Sequence, residues 1–424
     1  MTQTDHTTHT QQTREAEGAV AAQIAPISRL AVPLLSLAAF GSGVSLRVSD
    51  PMLPQLAREF GLSLGNVSLV ITVFSIAYGL SQLLFGPLGD RYGKYFIIAC
   101  GSLSCALTSA FCGLAPDFSS LLIARLLAGA TAASIIPLSM AWIGDVIAYE
   151  DRQPVLARFL IGQILGLAAG VLVGGLAADA NNWRLPFLLI AVLFLVVGIA
   201  LLRLNRTLPA HARRQHRAEG AAIPRMIGEF RQVLSKPWAR MVLISVFLEG
   251  AFLYGAFAFI ASHVHHTFGL SLTASGALVM LFGLGGFVFA MLSRILVRRL
   301  GEAGLSRWGG GFLAISLWGI GFAPVWWWAV AGCFLAGLGF YMFHNTLQIN
   351  ATQMAPERRG AAVAAFASSF FIGQSVGVGI AGALVERIGT VNVMFAGGLG
   401  VLAAALNFSY RLRKRAAAQR QSSA

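Results

Sequence analysis

Five ionisable residues lie in or at the ends of long hydrophobic runs: Arg47, Asp50, Arg125, Glu249 and His344. Glu249 stands well inside its run. An unpartnered carboxylate at that depth would take up a proton, and a movement that brought in or removed a cation would release it. Such a group could couple proton flow to a conformational change, a permanent ion pair being the alternative. Asp50 follows Arg47 by three positions, so the two share a helix face and can reach each other, either as a second proton site or as a fixed pair. His344 could titrate near neutral pH or act as a neutral hydrogen-bonding group. An arginine at the centre of a span costs at least about 2.5 kcal/mol. Arg125 therefore needs an interior partner or a wet cavity, unless it snorkels to the headgroups.

Other polar and aromatic residues could hold a solute beside these. Tyr341, Asn345 and Gln348 recur at i, i+4 and i+7 and share a helix face, with His344 next to them. Gln82, Gln163 and Gln374 could line the same cavity or bond between helices. Tyr78, Trp142, Phe252, Tyr254 and Phe257 could supply an aromatic surface, or pack in the core or against lipid. His263, His265 and His266 cluster without a carboxylate or cysteine beside them, and no metal site is expected. The glycine-rich stretch Phe282-Gly283-Leu284-Gly285-Gly286 lacks the lysine and hydroxyl residue of a phosphate-binding loop, and neither HExxH nor GxSxG occurs. The chain is not expected to be an enzyme or to carry a cofactor. Its energy must come from a gradient, with protons as the candidate ion, or from the solute itself.

The elements that would position these residues are membrane helices. Of the 424 residues, 56% are hydrophobic and 11% charged, against about a quarter charged in soluble domains. A span needs about 20 apolar residues. Such runs occur at roughly 28–50, 66–86, 95–115, 118–143, 156–178, 184–203, 240–262, 273–296, 307–324, 326–350, 361–386 and 391–411. They must be helices, because a backbone in lipid has to satisfy its own hydrogen bonds and the runs are too long for barrel strands. The four cysteines all lie inside apolar runs, where packing is expected.

The formal net charge of +14 raises the question of a nucleic-acid partner, and the distribution of charge answers it. With the N-terminus placed inside, 26 of the 31 basic residues fall on the cytoplasmic side. That asymmetry predicts both termini in the cytoplasm and no nucleic acid. The predicted organisation is a disordered cytoplasmic tail over 1–27, a six-helix bundle over 28–203, a basic linker over 204–239, a second six-helix bundle over 240–411 and a basic tail over 412–424. Gly162-Gln163-x-x-Gly166 recurs as Gly373-Gln374-x-x-Gly377, and Arg91-Tyr92-Gly93 has an echo in Arg299-Leu300-Gly301, which points to two copies of one unit.

After the second span the chain reads Gly86-Pro87-Leu88-Gly89-Asp90-Arg91-Tyr92-Gly93-Lys94. This resembles the loop signature of the major facilitator superfamily, matched at Gly86, Leu88, Asp90, Arg91, Gly93 and Lys94. The resemblance implies a conformational switch in which Asp90, Arg91 and Lys94 pair or cap across the seam between halves. Leu121 to Gly129, with Arg125 and Gly129, is similar to the family's R-x-x-x-G motif. Gly162, Gly166, Gly170, Gly174 and Gly175 resemble the antiporter signature, except that Val171 stands where the proline would be. Among family branches the arrangement looks most like the twelve-span drug:proton antiporters.

The resemblance implies an all-α membrane protein of twelve transmembrane helices in two pseudo-symmetric six-helix bundles. The expected function is proton-coupled efflux of small organic molecules by alternating access, from the inner membrane of a bacterial cell, by a monomer. Uptake or exchange of a sugar or organic acid by the same fold is the alternative, and a channel or membrane enzyme is further off. The expected partners are a small-molecule substrate and the lipid bilayer.

Overall fold

The computed structural model describes residues 29–213 and 222–423. The tail assigned to 1–27 and the linker stretch 214–221 lie outside the described residues. Twelve crossing helices can be followed among the described residues. They are α1 Ala31–Arg47, α2 Leu69–Tyr92, α3 Lys94–Gly113, α4 Phe118–Val146, α5 Tyr149–Asp179, α6 Arg184–Thr207 and α7 Pro237–Phe268. Helices α8 (272–300) and α9 (302–321) divide Leu272–Gly321 at Gly301. Then come α10 Trp328–Gln353 and, dividing Arg359–Ser423 at Gly389, α11 (359–388) and α12 (390–423).

Gly301 and Gly389 are the turns of two antiparallel pairs. Both have positive φ, 62° and 77°, which glycine adopts without steric cost. The neighbours of these helices show that the chain reverses there. Phe282 packs on Gly337 and Gly309 on Gly339, although a straight helix would hold Phe282 and Gly309 about 40 Å apart. Likewise Gly373 meets Phe247 while Gly397 meets Phe252.

Three boundaries differ from expectation, those of α5 and α12 for a common reason. Hydropathy reports the apolar run, whereas helix formation continues through polar residues at its ends. Helix α5 starts at Tyr149, ahead of the apolar run that begins near 156. Helix α9 ends at Gly321 and α10 begins at Trp328, so Pro324 sits in a loop and not in a one-residue gap. The basic tail over 412–423 is a continuation of α12, as its alanines and arginines favour.

Helices α1–α6 and α7–α12 form two halves that pack alike. Gly162, Gly166, Gly170 and Gly174 set α5 directly against the backbone carbonyls of Ser36, Phe40 and Val44 on α1 and of Val48 just beyond its end, leaving no room for a Cβ. In the second half Gly373 and Gly377 of α11 meet Phe247 and Ala251 of α7 in the same way, each residue displaced by 211 positions. Gly129 on Phe74 is matched by Gly337 on Phe282, displaced by 208. The glycine stripe is thus the interface between α1 and α5, while Gly175 turns from it to meet Leu272 at the start of α8.

The halves meet along two seams, α2 with α11 and α5 with α8. The bonds across them are Gly65 N–H to Glu386, Ser375 Oγ to the Thr72 carbonyl, Gln374 Nε2 to Ser75 Oγ, and the Leu272 and Thr273 N–H groups to Asp179. All lie toward the face opposite the termini. On the terminal face, a Cβ added at Gly86 or Gly144 would meet nothing within 4 Å.

Candidate functional site

Two of the residues singled out by sequence meet at the centre of the second half. Glu249 of α7 is fully buried, and its Oε2 lies 2.8 Å from Nδ1 of His344 on α10. Its other oxygen, Oε1, has no hydrogen-bond partner. The imidazole is enclosed by Phe340, stacked at 4.7 Å between ring centroids, Phe370 at 4.8 Å and Phe366 at 5.3 Å. Helix periodicity builds this box, because Phe340 is one turn before His344 and Phe366 one turn before Phe370. Sequence reasoning missed these three phenylalanines, although the i, i+4 spacing from His344 was there to find Phe340.

Arg47 and Asp50 pair as their spacing predicts, Nη1 to Oδ2 at 3.4 Å, both buried. The guanidinium also sits 4.0 Å over the ring of Tyr254 and 5.7 Å from that of Phe257, so a cation of the first half rests on aromatic rings of the second. Arg47, Tyr254, Phe257 and Tyr341 line a crevice together with Leu167 of α5 and Met280 of α8. It opens one to two turns beyond the point where Gly276 touches Val171, where α5 and α8 begin to part.

Arg125 faces the interior and is 1% exposed, which excludes snorkelling to headgroups. It donates Nε to the Val70 carbonyl at 3.2 Å and Nη1 to the Ser45 carbonyl at 3.0 Å, and lies 4.1 Å over Phe74. It therefore ties α4 to α1 and α2. Gln374 bonds Ser75 at 2.9 Å across the seam, and Tyr78 packs on Phe371 of the other half at 4.5 Å. Gln82 is buried with Nε2 unpartnered, and Gln163 and Asn345 are half-buried.

Two of the aromatic candidates take the packing alternative. Trp142 is fully buried near the terminal face, donates Nε1 to the Ala212 carbonyl at 2.9 Å and packs on Tyr95, so it anchors the start of the linker. Phe252 is 37% exposed and packs on Gly400 of α12. Gln348, expected on the Tyr341 face, is exposed. The clustered histidines are engaged singly, His263 with Thr390 at 2.7 Å and His265 with the Leu270 carbonyl at 2.6 Å.

In the loop signature Lys94 bridges Asp90, at 3.4 Å, and Asp145 of α4. Gly93 holds φ of 95° and brings the chain against the Arg213 carbonyl. Arg91 lies 5.1 Å over its neighbour Tyr92. The pairing expected across the seam is instead made within the first half. Asp145 was not foreseen, though a Gly-Asp step closing an apolar helix on the basic side was the signal.

Comparisons with known proteins bear on this geometry. The family model described as Major Facilitator Superfamily matches residues 35–378. The MFS-type transporter YwfA of Bacillus subtilis (strain 168) is 24% identical over 269 residues, which is 63% of this chain and 64% of YwfA. The efflux pump radE of Floropilus chiversii is 27% identical over 182 residues, 42% of this chain and 34% of radE. Among solved structures, the nucleoside transporter NupG (D323A mutant) superposes with a TM-score of 0.75 at 14% identity, covering 89% of this chain and 98% of that one. That likeness concerns the fold.

Proposed function

The chain belongs to the Major Facilitator Superfamily, and on that basis we propose that it exports small organic molecules in exchange for protons. It is a membrane-embedded, multi-pass transporter and not an enzyme. The observation that carries the coupling proposal is the Glu249–His344 contact at 2.8 Å, with Glu249 fully buried and one of its oxygens unpartnered. Such a pair can hold one proton between Oε2 and Nδ1.

Basic residues gather on the terminal face, and the positive-inside bias supports a cytoplasmic position for it. The conformation is then inward-open, sealed at the outer ends of α2, α5, α8 and α11. In the proposed cycle a solute enters the crevice between α5 and α8 as the pair gives up its proton to the cytoplasm. The halves rock, the solute leaves outward and a proton is taken up from outside. The likeness to radE, an efflux pump by name, supports the export direction. The alternative of sugar or organic-acid uptake would use Arg47 and Arg125 for an anion. Arg47 is committed to Asp50, and Arg125 to two backbone carbonyls, which favours the first proposal.

The test uses purified protein in proteoliposomes, with a solute first found by thermal-shift screening of a chemical library. Proton movement opposite to solute flux supports export by antiport. Movement in the same direction establishes uptake, and solute flux with no proton movement removes the coupling.

A further inference from the structure

Two carboxylates at the outer seams reach matching helix starts in the opposite half, from positions one turn apart on α5 and α11. Asp179, the last residue of α5, accepts from the Leu272 and Thr273 N–H groups at 2.8 Å each, at the start of α8. Glu386, near the end of α11, accepts from Gly65 N–H at 3.2 Å, at the start of the helix Leu64–Val67 that leads into α2. Each helix start already has its own serine cap, Ser271 to Ala274 and Ser63 to Asn66, and each follows a left-handed glycine, Gly269 and Gly61. The caps and glycines of the two starts are displaced by the same 208 positions seen between Gly129 and Gly337. A serine satisfies one of the free N–H groups of a helix start, and the carboxylate from the opposite half satisfies others while meeting the positive end of the helix dipole.

We propose that Asp179 and Glu386 are paired latches that hold the outer face of the transporter shut. In each case the carboxylate and the helix start belong to different halves, so separating the halves must break the bond, whereas the serine caps travel with their own helices. The close approaches of Gly175 to Leu272 and Gly65 to Gly382 bring the backbones near enough for a side chain of two or three carbons to reach. Asp179 makes two bonds at 2.8 Å against one at 3.2 Å for Glu386, which makes the α5–α8 latch the stronger. The inference rests on the two-half architecture and on neither the solute nor the proton.

The experiment measures spin-label distances across each face in the full-length chain reconstituted in lipid. One pair spans the outer face, Pro116 to Val325, both exposed loop positions in different halves. A second, Pro116 to Asn182, lies within the first half and reports that the bundle is intact. In the double variant Asp179→Asn, Glu386→Gln the population with the longer outer-face distance should rise at least about threefold, the scale of removing charges from helix ends. Asp179→Asn alone should exceed Glu386→Gln alone. An unchanged outer-face distribution with an intact within-half distance overturns the proposal. If the double variant loses the within-half distance, the single variant Glu386→Gln, which removes one long bond, decides by the same criterion. Loss of proton coupling leaves this result untouched, so the two proposals fail separately.

Discussion

The carboxylate of Glu249 and the imidazole of His344 meet at 2.8 Å although 95 positions separate them in sequence. They come from α7 and α10, and the aromatic box of Phe340, Phe366 and Phe370 keeps the histidine ring from turning away. If this contact carries the proton, Glu249→Gln should abolish pH-driven accumulation of solute and retain counterflow exchange, since exchange needs no net proton step. It should also flatten the pH dependence of solute affinity, because linkage requires the titrating group to sense the ligand. Full proton-driven transport by this variant would move the role to Asp50 or His344.

Removing the other partner has a structural cost. His344→Ala leaves both oxygens of a fully buried carboxylate without a partner, and should lower stability by about 1–3 kcal/mol. Combined with Glu249→Gln the loss should be smaller than the sum of the two, since the residues are in contact. Thermal unfolding of the purified variants measures both, and strict additivity would show that the contact contributes nothing.

The packing of α5 on α1 predicts a steep dependence on glycine. A Cβ at Gly166 would overlap the Phe40 carbonyl, so Gly166→Val should destabilise by about 1–3 kcal/mol, as overpacking does. Gly86→Ala, where a Cβ meets nothing within 4 Å, should leave stability the same or slightly higher. Equal melting temperatures for Gly166→Val and the parent would refute the interface.

Lys94 joins Asp90 and Asp145 within the first half. Asp90→Asn should bias the balance between inward-open and outward-open states by about 1–3 kcal/mol and impair transport, while solute binding stays within severalfold. Normal transport by Asp90→Asn would remove the switch role from the loop. Asp145→Asn should weaken transport in the same sense, since it takes the second carboxylate from the same lysine.

Orientation is checked directly. In a cysteine-free background Arg413→Cys, an exposed position on α12, should react with an impermeant thiol reagent only in opened cells. Labelling of intact cells would reverse the assignment of faces.

The twelve spans were legible because a crossing helix announces itself locally, in about 20 consecutive apolar residues. The Arg47–Asp50 pair was legible for the same reason, since three positions on one helix fix the contact. Glu249 and His344 could each be picked out as polar residues in apolar runs, but their meeting depends on how α7 lies beside α10, which no local pattern states. For Trp142 cavity and core stayed open, because an indole in an apolar run looks the same whether it faces a cavity or a linker carbonyl. The latches Asp179 and Glu386 were invisible as ordinary charges at helix ends, since their partners are backbone N–H groups about 90 and 320 positions away.

The glycine seam between α1 and α5 also governs how this protein can change over generations. Its contacts are made to main-chain oxygens of Ser36, Phe40, Val44 and Val48, and every residue type carries that oxygen. Substitutions on the other faces of α1 therefore leave the frame where it is. The side chains around the crevice are free to drift, and with them the repertoire of molecules accepted, while the scaffold that moves them is inherited intact.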